Sequence, residues 1–436
     1  MLKAILYLAL AAFGIGVTFL SPFAGIVTCL EAYLLNPTVL TAADGGFRYQ
    51  LVCTLALILS WLIHRPGSLD PVGREVWIPR FLWTFVAVGA LSALWAVASA
   101  DVAIDSIYEL FKTVLLVGLI IRLIQTERQM SIVVTAMIIG VWHAAFLHVF
   151  GVRWGYVYGA FGKEFGVLSD PQTGVMISFV PLLILSAMFG TKAQKILSWC
   201  ALPFVLDSII ETYERTALVG IAAELALILI YLPRRITLRL IPVLAAAAGL
   251  FIFRLTPPDY WTKMSTILTP HEEASAESRF IVGNASWRMF LDYPFGVGYR
   301  NYMYVSPRYL PDEVLTTVDD RRLRSAHNSY AEILCDTGIQ GFIPWIASFV
   351  SAVFLLRRVR RQPGSEGISA IQVYAMAFEV GLYGWAAGGL TQDYQEVDPA
   401  YWFVGFAVVL AKLYRRSTSL EAEEPEGVEE LAVAGT

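Results

Sequence analysis

The sequence predicts an all-α, polytopic membrane fold, and three observations carry that expectation. Hydrophobic residues make up 57% of the 436-residue chain and charged residues only 16%, where a soluble domain carries about a quarter. Apolar runs of roughly 18–25 residues, each long enough to cross a bilayer as a helix, follow one another along almost the whole length. Basic residues gather in alternate connections between those runs, the pattern that the positive-inside rule gives a multi-pass protein.

The runs fall near 4–20, 22–40, 47–63, 81–99, 106–124, 129–150, 172–190, 196–212, 215–232, 236–254, 329–356, 367–391 and 399–414. The first, MLKAILYLALAAFGIGVTFL, resembles a signal peptide but its apolar run continues without a convincing cleavage site, so it reads as a retained span. One set of connections holds Arg65, Arg74 and Arg80; Arg122 and Arg128; Lys192 and Lys195; Arg234, Arg235 and Arg239; Arg357, Arg358, Arg360 and Arg361; then Lys412, Arg415 and Arg416. The alternate set holds Asp101 with Asp105, and Asp393 with Glu396 and Asp398. The basic set and the C-terminus are therefore expected in the cytoplasm. Thirteen crossings would put the N-terminus outside, against the preference of Lys3, so the expectation is about twelve transmembrane helices.

The chain divides into N-terminal transmembrane helices at 1–255, a large external loop at 256–328, C-terminal transmembrane helices at 329–416 and an acidic tail at 417–436. The tail dominates the net charge of −4, has no periodic apolar face and is expected to be disordered in the cytoplasm. The loop is too long and polar to be a mere connection, and long loops in compact architectures are usually functional. Within it ESRFIVGNASWRMFLDY places Phe280, Asn284, Trp287 and Leu291 at helical spacing, and the turn PFGVG follows. Cys29, Cys53, Cys200 and Cys335 lie in or beside apolar segments without a CxxC pair, which argues against a disulfide framework or a zinc site.

The external loop carries eight basic residues, Lys263, Arg279, Arg288, Arg300, Arg308, Arg321, Arg322 and Arg324, against nine Asp and Glu. A solvated surface is the ordinary explanation for any one of them. Arg288 stands out because it sits beside Trp287 on a helix expected at the membrane surface. His327 is the sharpest single residue, since it directly precedes a helix start. SYAE there matches a capping box with Ser329 as N-cap and Glu332 three residues on, and such a terminus binds anions, phosphates in particular. A neutral histidine beside it is placed to act as a general base; the bland alternative is a histidine that caps the loop at the interface. Arg215, in ETYERTALVG, opens a span on the external rim near Glu211 and Glu214, where a snorkelling arginine is the ordinary reading. Asp393, in GGLTQDYQEVD, faces the same side.

There is no DxD carboxylate pair, no GxxxxGK[ST] phosphate loop and no HExxH. GVG at 296–298 is a turn, too short for a dinucleotide fingerprint. An external site would also be cut off from cytoplasmic nucleotides, which leaves an activated substrate delivered across the membrane on a lipid.

The combination of many spans, a late external loop with SRF…WRMFLDYPFGVG, and HNSYAEILCDTGIQG opening the next span resembles the O-antigen ligase and polymerase superfamily. The motifs cover about Thr212 to Phe349; SPFAGIVTCLEAYLLNPTVL also looks like a subgroup of O-glycosylation ligases. The resemblance implies a GT-C-like, metal-independent glycosyltransferase of the bacterial inner membrane, active on the periplasmic side and without a cofactor. Its donor would be a glycan on undecaprenyl diphosphate. The acceptor would be lipid A–core in a ligase, a lipid-linked repeat in a polymerase, or a protein hydroxyl in a protein ligase; no nucleic acid is expected as a partner. Carried over residue by residue, the family histidine is His327, and the diphosphate-binding arginines are Arg215 and Arg288. Arg324, or its neighbours Arg321 and Arg322, is a further candidate, with Asn328, Ser329 and Asp393 in support. Inversion at the anomeric carbon would follow from attack opposite the leaving diphosphate. A transporter is the alternative from another class, weakened because few charged residues lie mid-span. A binding scaffold is a fourth reading, disfavoured by the histidine, arginine and helix-end constellation.

Overall fold

The structure is a computed structural model that describes residues 2–35, 49–67, 71, 73–154, 170–250, 256, 258–265, 274–318, 321–362 and 368–423. Every one of the thirteen apolar runs contains a helix. In chain order these are α1 Leu2–Leu20, α2 Pro22–Leu34, α3 Tyr49–His64, α4 Trp77–Ser92, α5 Ala100–Leu123, α6 Glu127–Trp154, α7 Asp170–Phe189, α8 Lys192–Glu211, α9 Arg215–Tyr231 and α10 Arg234–Leu250. The polar stretch adds α11 Pro258–Ser265, α12 Ala274–Asp292 and α13 Tyr302–Val305, and three more long helices follow: α14 Ser329–Arg360, α15 Ala370–Gly388 and α16 Asp398–Glu423. The segments 36–48 and 155–169 lie outside the described residues, as does the tail beyond Glu423.

Among the described residues, four helices are both long and apolar enough to cross a bilayer by themselves: Trp77–Trp95, Glu127–Val149, Lys192–Glu211 and Ser329–Arg360. Shorter apolar helices, Leu8–Leu20, Pro22–Leu34, Tyr49–His64 and Met176–Phe189, pack among them. The protein is an all-α membrane protein with one polar cap.

The core runs through α15 and α16, whose residues are buried on nearly every side. That all-round apolarity marks helices enclosed by other helices. Gly384 of α15 makes the close approach possible, because a Cβ there would fall 1.8 Å from Glu224 Oε1. Two sequence expectations need correction at this level. Lys412, read as part of a basic connection, is buried within α16 and donates to the Ile121 carbonyl. Helix α16 also continues through Glu423, so the first residues of the acidic tail are helical. The bundle interior also holds Glu224 and Glu379, both fully buried, so ionisable residues are better represented inside the spans than hydropathy alone implied.

The cap is built on a break in α14. Gly338 has φ +66° and ψ −173°, outside the helical region, and this frees carbonyls of the preceding turn. The Val297 N–H donates to Cys335 O and the Gly298 N–H to Asp336 O, at 2.8 and 2.9 Å. Gly296, at φ +86°, completes the interlock: a Cβ there would lie 2.3 Å from Asp336 O. Only glycine accepts both the left-handed backbone and this proximity. PFGVG and DTG are two halves of one joint. The rest of the cap adds α12, α13 and a two-stranded antiparallel ribbon, Thr316–Val318 with Arg321–Leu323.

Candidate functional site

Asp336 is the anchor of the site, and sequence reasoning missed it. Fully buried on α14, it accepts from the Arg300 N–H through Oδ2 and from the Tyr302 N–H through Oδ1, both at 2.8 Å. That clamp holds Arg300 in the left-handed region, φ +60°, and turns its guanidinium toward α14. Arg300 Nη1 donates to Glu332 Oε1 at 2.7 Å. From the cap side, Tyr302 shares a hydrogen bond with Ser286 of α12 at 2.7 Å. Burial is the main reason that the Tyr302 phenol is pushed up. Tyr309 donates to Asp292 at 2.8 Å, and burial first, then that carboxylate, push its phenol up to about 12.

The start of α14 differs from the predicted capping box. Asn328, not Ser329, is the N-cap: its Oδ1 accepts from the Tyr330 and Ala331 N–H groups, both at 3.0 Å. The Ser329 N–H goes to Gly389 O at 2.8 Å. The free N–H groups expected to bind phosphate at this helix end are therefore taken. Ser329 and Glu332 have other tasks. The Ser329 hydroxyl donates to Gln392 O at 2.8 Å and accepts from the Tyr394 N–H at 2.7 Å, while Asn328 Nδ2 donates to Leu390 O at 3.1 Å. Together they pin the loop between α15 and α16 onto the start of α14.

That loop brings the chemistry together. It sets Asp393 Oδ2 3.5 Å from His327 Nδ1, at the outer limit for a hydrogen bond. Both side chains are partly exposed. His327 itself sits at φ +46°, an unusual backbone state for a residue with a Cβ, which costs about 1–3 kcal/mol and clusters at functional sites. The carboxyl of Glu332 interacts with that of Asp393. Glu332 Oε2 and Asp393 Oδ1 are buried and, among the described residues, have no hydrogen-bond donor. Two facing buried carboxyls favour keeping one proton between them, even with the Arg300 guanidinium beside Glu332. The same loop reaches Arg215 indirectly: Thr391 and Thr216 share a hydrogen bond at 2.6 Å, and Thr216 is the residue after Arg215 at the start of α9.

The other arginines separate. Arg324 is half-buried beyond the ribbon. Its Nη2 lies 3.4 Å from Ser278 Oγ of α12, and its buried Nε has no acceptor among the described residues. Arg322 is spent on the surface, against the carboxylate and carbonyl of Asp312. The Arg321 side chain lies outside the described residues. Arg288 is exposed on the outer face of α12, and the structure does not bring it to His327; the inward face of that helix presents Ser286 and Met289 to Cys335 instead. Arg300, through Glu332, lies nearer to this arrangement than motif reading suggested. The signal for Arg300 was its place directly after a glycine turn whose conformation fixes side-chain direction.

A helical bundle with one polar cap and a histidine–carboxylate pair where the cap meets the α15–α16 loop defines a membrane protein with a polar site at one end. Residues 200–346 match the family model described as O-Antigen ligase, the superfamily that the motifs resemble. That match includes His327, Arg215, Arg288, Arg324, Asn328 and Ser329 but stops short of Asp393. That family points to membrane glycan ligases and polymerases as the class of activity. No curated protein matches the chain.

Proposed function

We propose that the protein transfers a glycan, O-antigen, from undecaprenyl diphosphate to an acceptor hydroxyl of lipid A–core. In this reading a GT-C-like bundle of about twelve crossings lies in the bacterial inner membrane. The cap faces the periplasm and the C-terminus faces the cytoplasm. The observation that carries the reading is the His327–Asp393 pair, held at the same loop that links to the helix of Arg215.

Asp393 fixes the proton of His327 on Nδ1, which makes Nε2 the basic nitrogen. The acceptor oxygen attacks the anomeric carbon as its proton passes to Nε2. The bond from that carbon to the diphosphate oxygen breaks on the opposite face, and the configuration inverts. The leaving diphosphate gathers negative charge, which fixed guanidinium groups stabilise without reorganisation. Arg215 and Arg324 take that role beside His327, and Arg288 meets the diphosphate from the rim. Each donor of this kind is worth ~2.7–4 kcal/mol of barrier.

The test supplies membranes containing the protein with radiolabelled undecaprenyl-diphosphate glycan and separate acceptors. Label moving to lipid A–core, and lost in His327→Ala, is the expected result. Label that stays on lipid while the chain lengthens would make the protein a polymerase, and label on polypeptide a protein ligase. No transfer to any acceptor by folded wild type would overturn the enzyme reading.

A further inference from the structure

The outer face of α12 and the turn after it carry large apolar side chains that none of the described residues covers. Trp287 and Leu291 are 57% and 59% exposed, Phe295 in the turn is 69% exposed, and Phe280, further along the helix stripe, is 73% exposed. The opposite face, with Val282, Ala285 and Met289, is buried in the cap. An exposed apolar stripe of this kind on a folded protein marks an interaction surface.

Its level relative to the bilayer can be read from α14. The hydrocarbon core is about 30 Å thick, which is about twenty residues of helix. Counting back from the arginines at 357–360 puts the cap-side boundary near Gly338, where the helix breaks. Phe295 lies at that height, because its carbonyl accepts from Gln340 Nε2 at 2.8 Å and from Trp95 Nε1 at 3.2 Å. Around it the cap-side ends of the spans present exposed Leu94 and Ile343, side chains that face lipid. Ser286, next to Trp287, is one turn higher, with its carbonyl 3.2 Å from Cys335 Sγ. Exposed apolar side chains are therefore found from the level of Ile343, through Phe295, to Leu291 and Trp287. Tryptophan at headgroup height with arginine beside it is the composition of a membrane-interface anchor.

We infer that α12 is an interfacial anchor: Phe295 and Leu291 enter the upper acyl region of the leaflet on the cap side, and Trp287 lies among its headgroups. Arg288, adjacent on the same face, is thereby held at the height of the lipid phosphates. The anchor ties the cap to the bilayer independently of the glycosylation reading, and its test needs no activity.

The experiment uses the full chain in phospholipid vesicles. Cys200, the exposed native cysteine, is replaced by Ala, and single cysteines are introduced at exposed positions: Phe295→Cys, Leu291→Cys and Trp287→Cys. Phe354→Cys on the lipid face of α14 serves as the embedded control, and Glu313→Cys as the water control. Each is spin-labelled, and collisions with oxygen and with a water-soluble nickel chelate are compared. The expected result is oxygen in excess over nickel at 295 and 291, approaching the value at 354, with an intermediate ratio at 287. Nickel access at 291 and 287 equal to that at 313 would overturn the anchor. Protection from both reagents would also overturn it, because a protein partner would then cover the stripe.

Discussion

Helix α14 carries an arginine–glutamate pair at each end, and the two differ in one respect. At the end away from the cap, Arg360 Nε donates to Glu379 Oε2 at 2.6 Å, and Tyr231 donates to Oε1 at 3.2 Å. The guanidinium also lies 3.6 Å from the centre of the Tyr231 ring. Both oxygens of Glu379 are filled, and the cluster is closed. At the cap end Arg300 meets Glu332 at nearly the same distance, 2.7 Å, yet Glu332 Oε2 has no donor. Asp393 Oδ1 and Arg324 Nε nearby are in the same condition. Ion-pair geometry alone therefore does not mark a site. The two pairs differ in the completeness of the hydrogen bonding around them, and a buried polar atom without a partner costs about 1–3 kcal/mol.

The largest expected effect is at the open end. His327→Ala should lower transfer by about 10²–10⁴-fold while the purified protein keeps its wild-type elution and melting profile. A loss of folded protein instead would erase the functional side of the contrast. Next comes the closed end: Glu379→Ala strands Arg360 and should cost about 3–5 kcal/mol, read as a lowered melting temperature in detergent, with activity per folded molecule retained. Glu332→Ala should show the reverse ordering, a smaller loss of stability and a larger loss of transfer. Equal behaviour of the two glutamates would dissolve the distinction. Smaller again, Asn328→Ala removes the cap of α14 and should destabilise by about 1 kcal/mol. Ser329→Ala should instead loosen the loop holding Asp393, seen as faster hydrogen exchange at 389–394. Least of all, Arg322→Ala should change neither melting temperature nor transfer, since an exposed ion pair contributes about 0–1 kcal/mol.

Helix positions were legible because each long apolar run favours one buried helix, and α14 begins at Ser329, where the sequence placed it. The site was legible in part. His327 and Asp393 announced themselves as rare polar residues at span ends, and the structure brings them together. Asn328 was misread because SYAE offers a valid capping box. The choice between two competent caps was made by tertiary contacts, in which Ser329 bonds to residues some sixty positions later. Asp336 and Arg300 were invisible for a similar reason. Nothing local says that an aspartate inside an apolar helix will accept from the backbone of a distant turn, and only the paired left-handed glycines hint at it. Arg288 was singled out for its tryptophan neighbour on a helix expected at the membrane surface, and both side chains are exposed on the outer face of α12.

The interlock between Gly296 and Gly338 has a consequence for synthesis. The cap, residues 256–328, leaves the ribosome before the helix whose carbonyls it needs, and before the loop at 389–394 that positions Asp393. Its turn at PFGVG can close only after α14 has entered the bilayer, and His327 meets its carboxylate only after α15 has followed. A nascent chain halted before residue 390 would therefore display most of the cap and none of the pairing. The pairing of His327 with Asp393 is thus among the latest contacts that this chain can make.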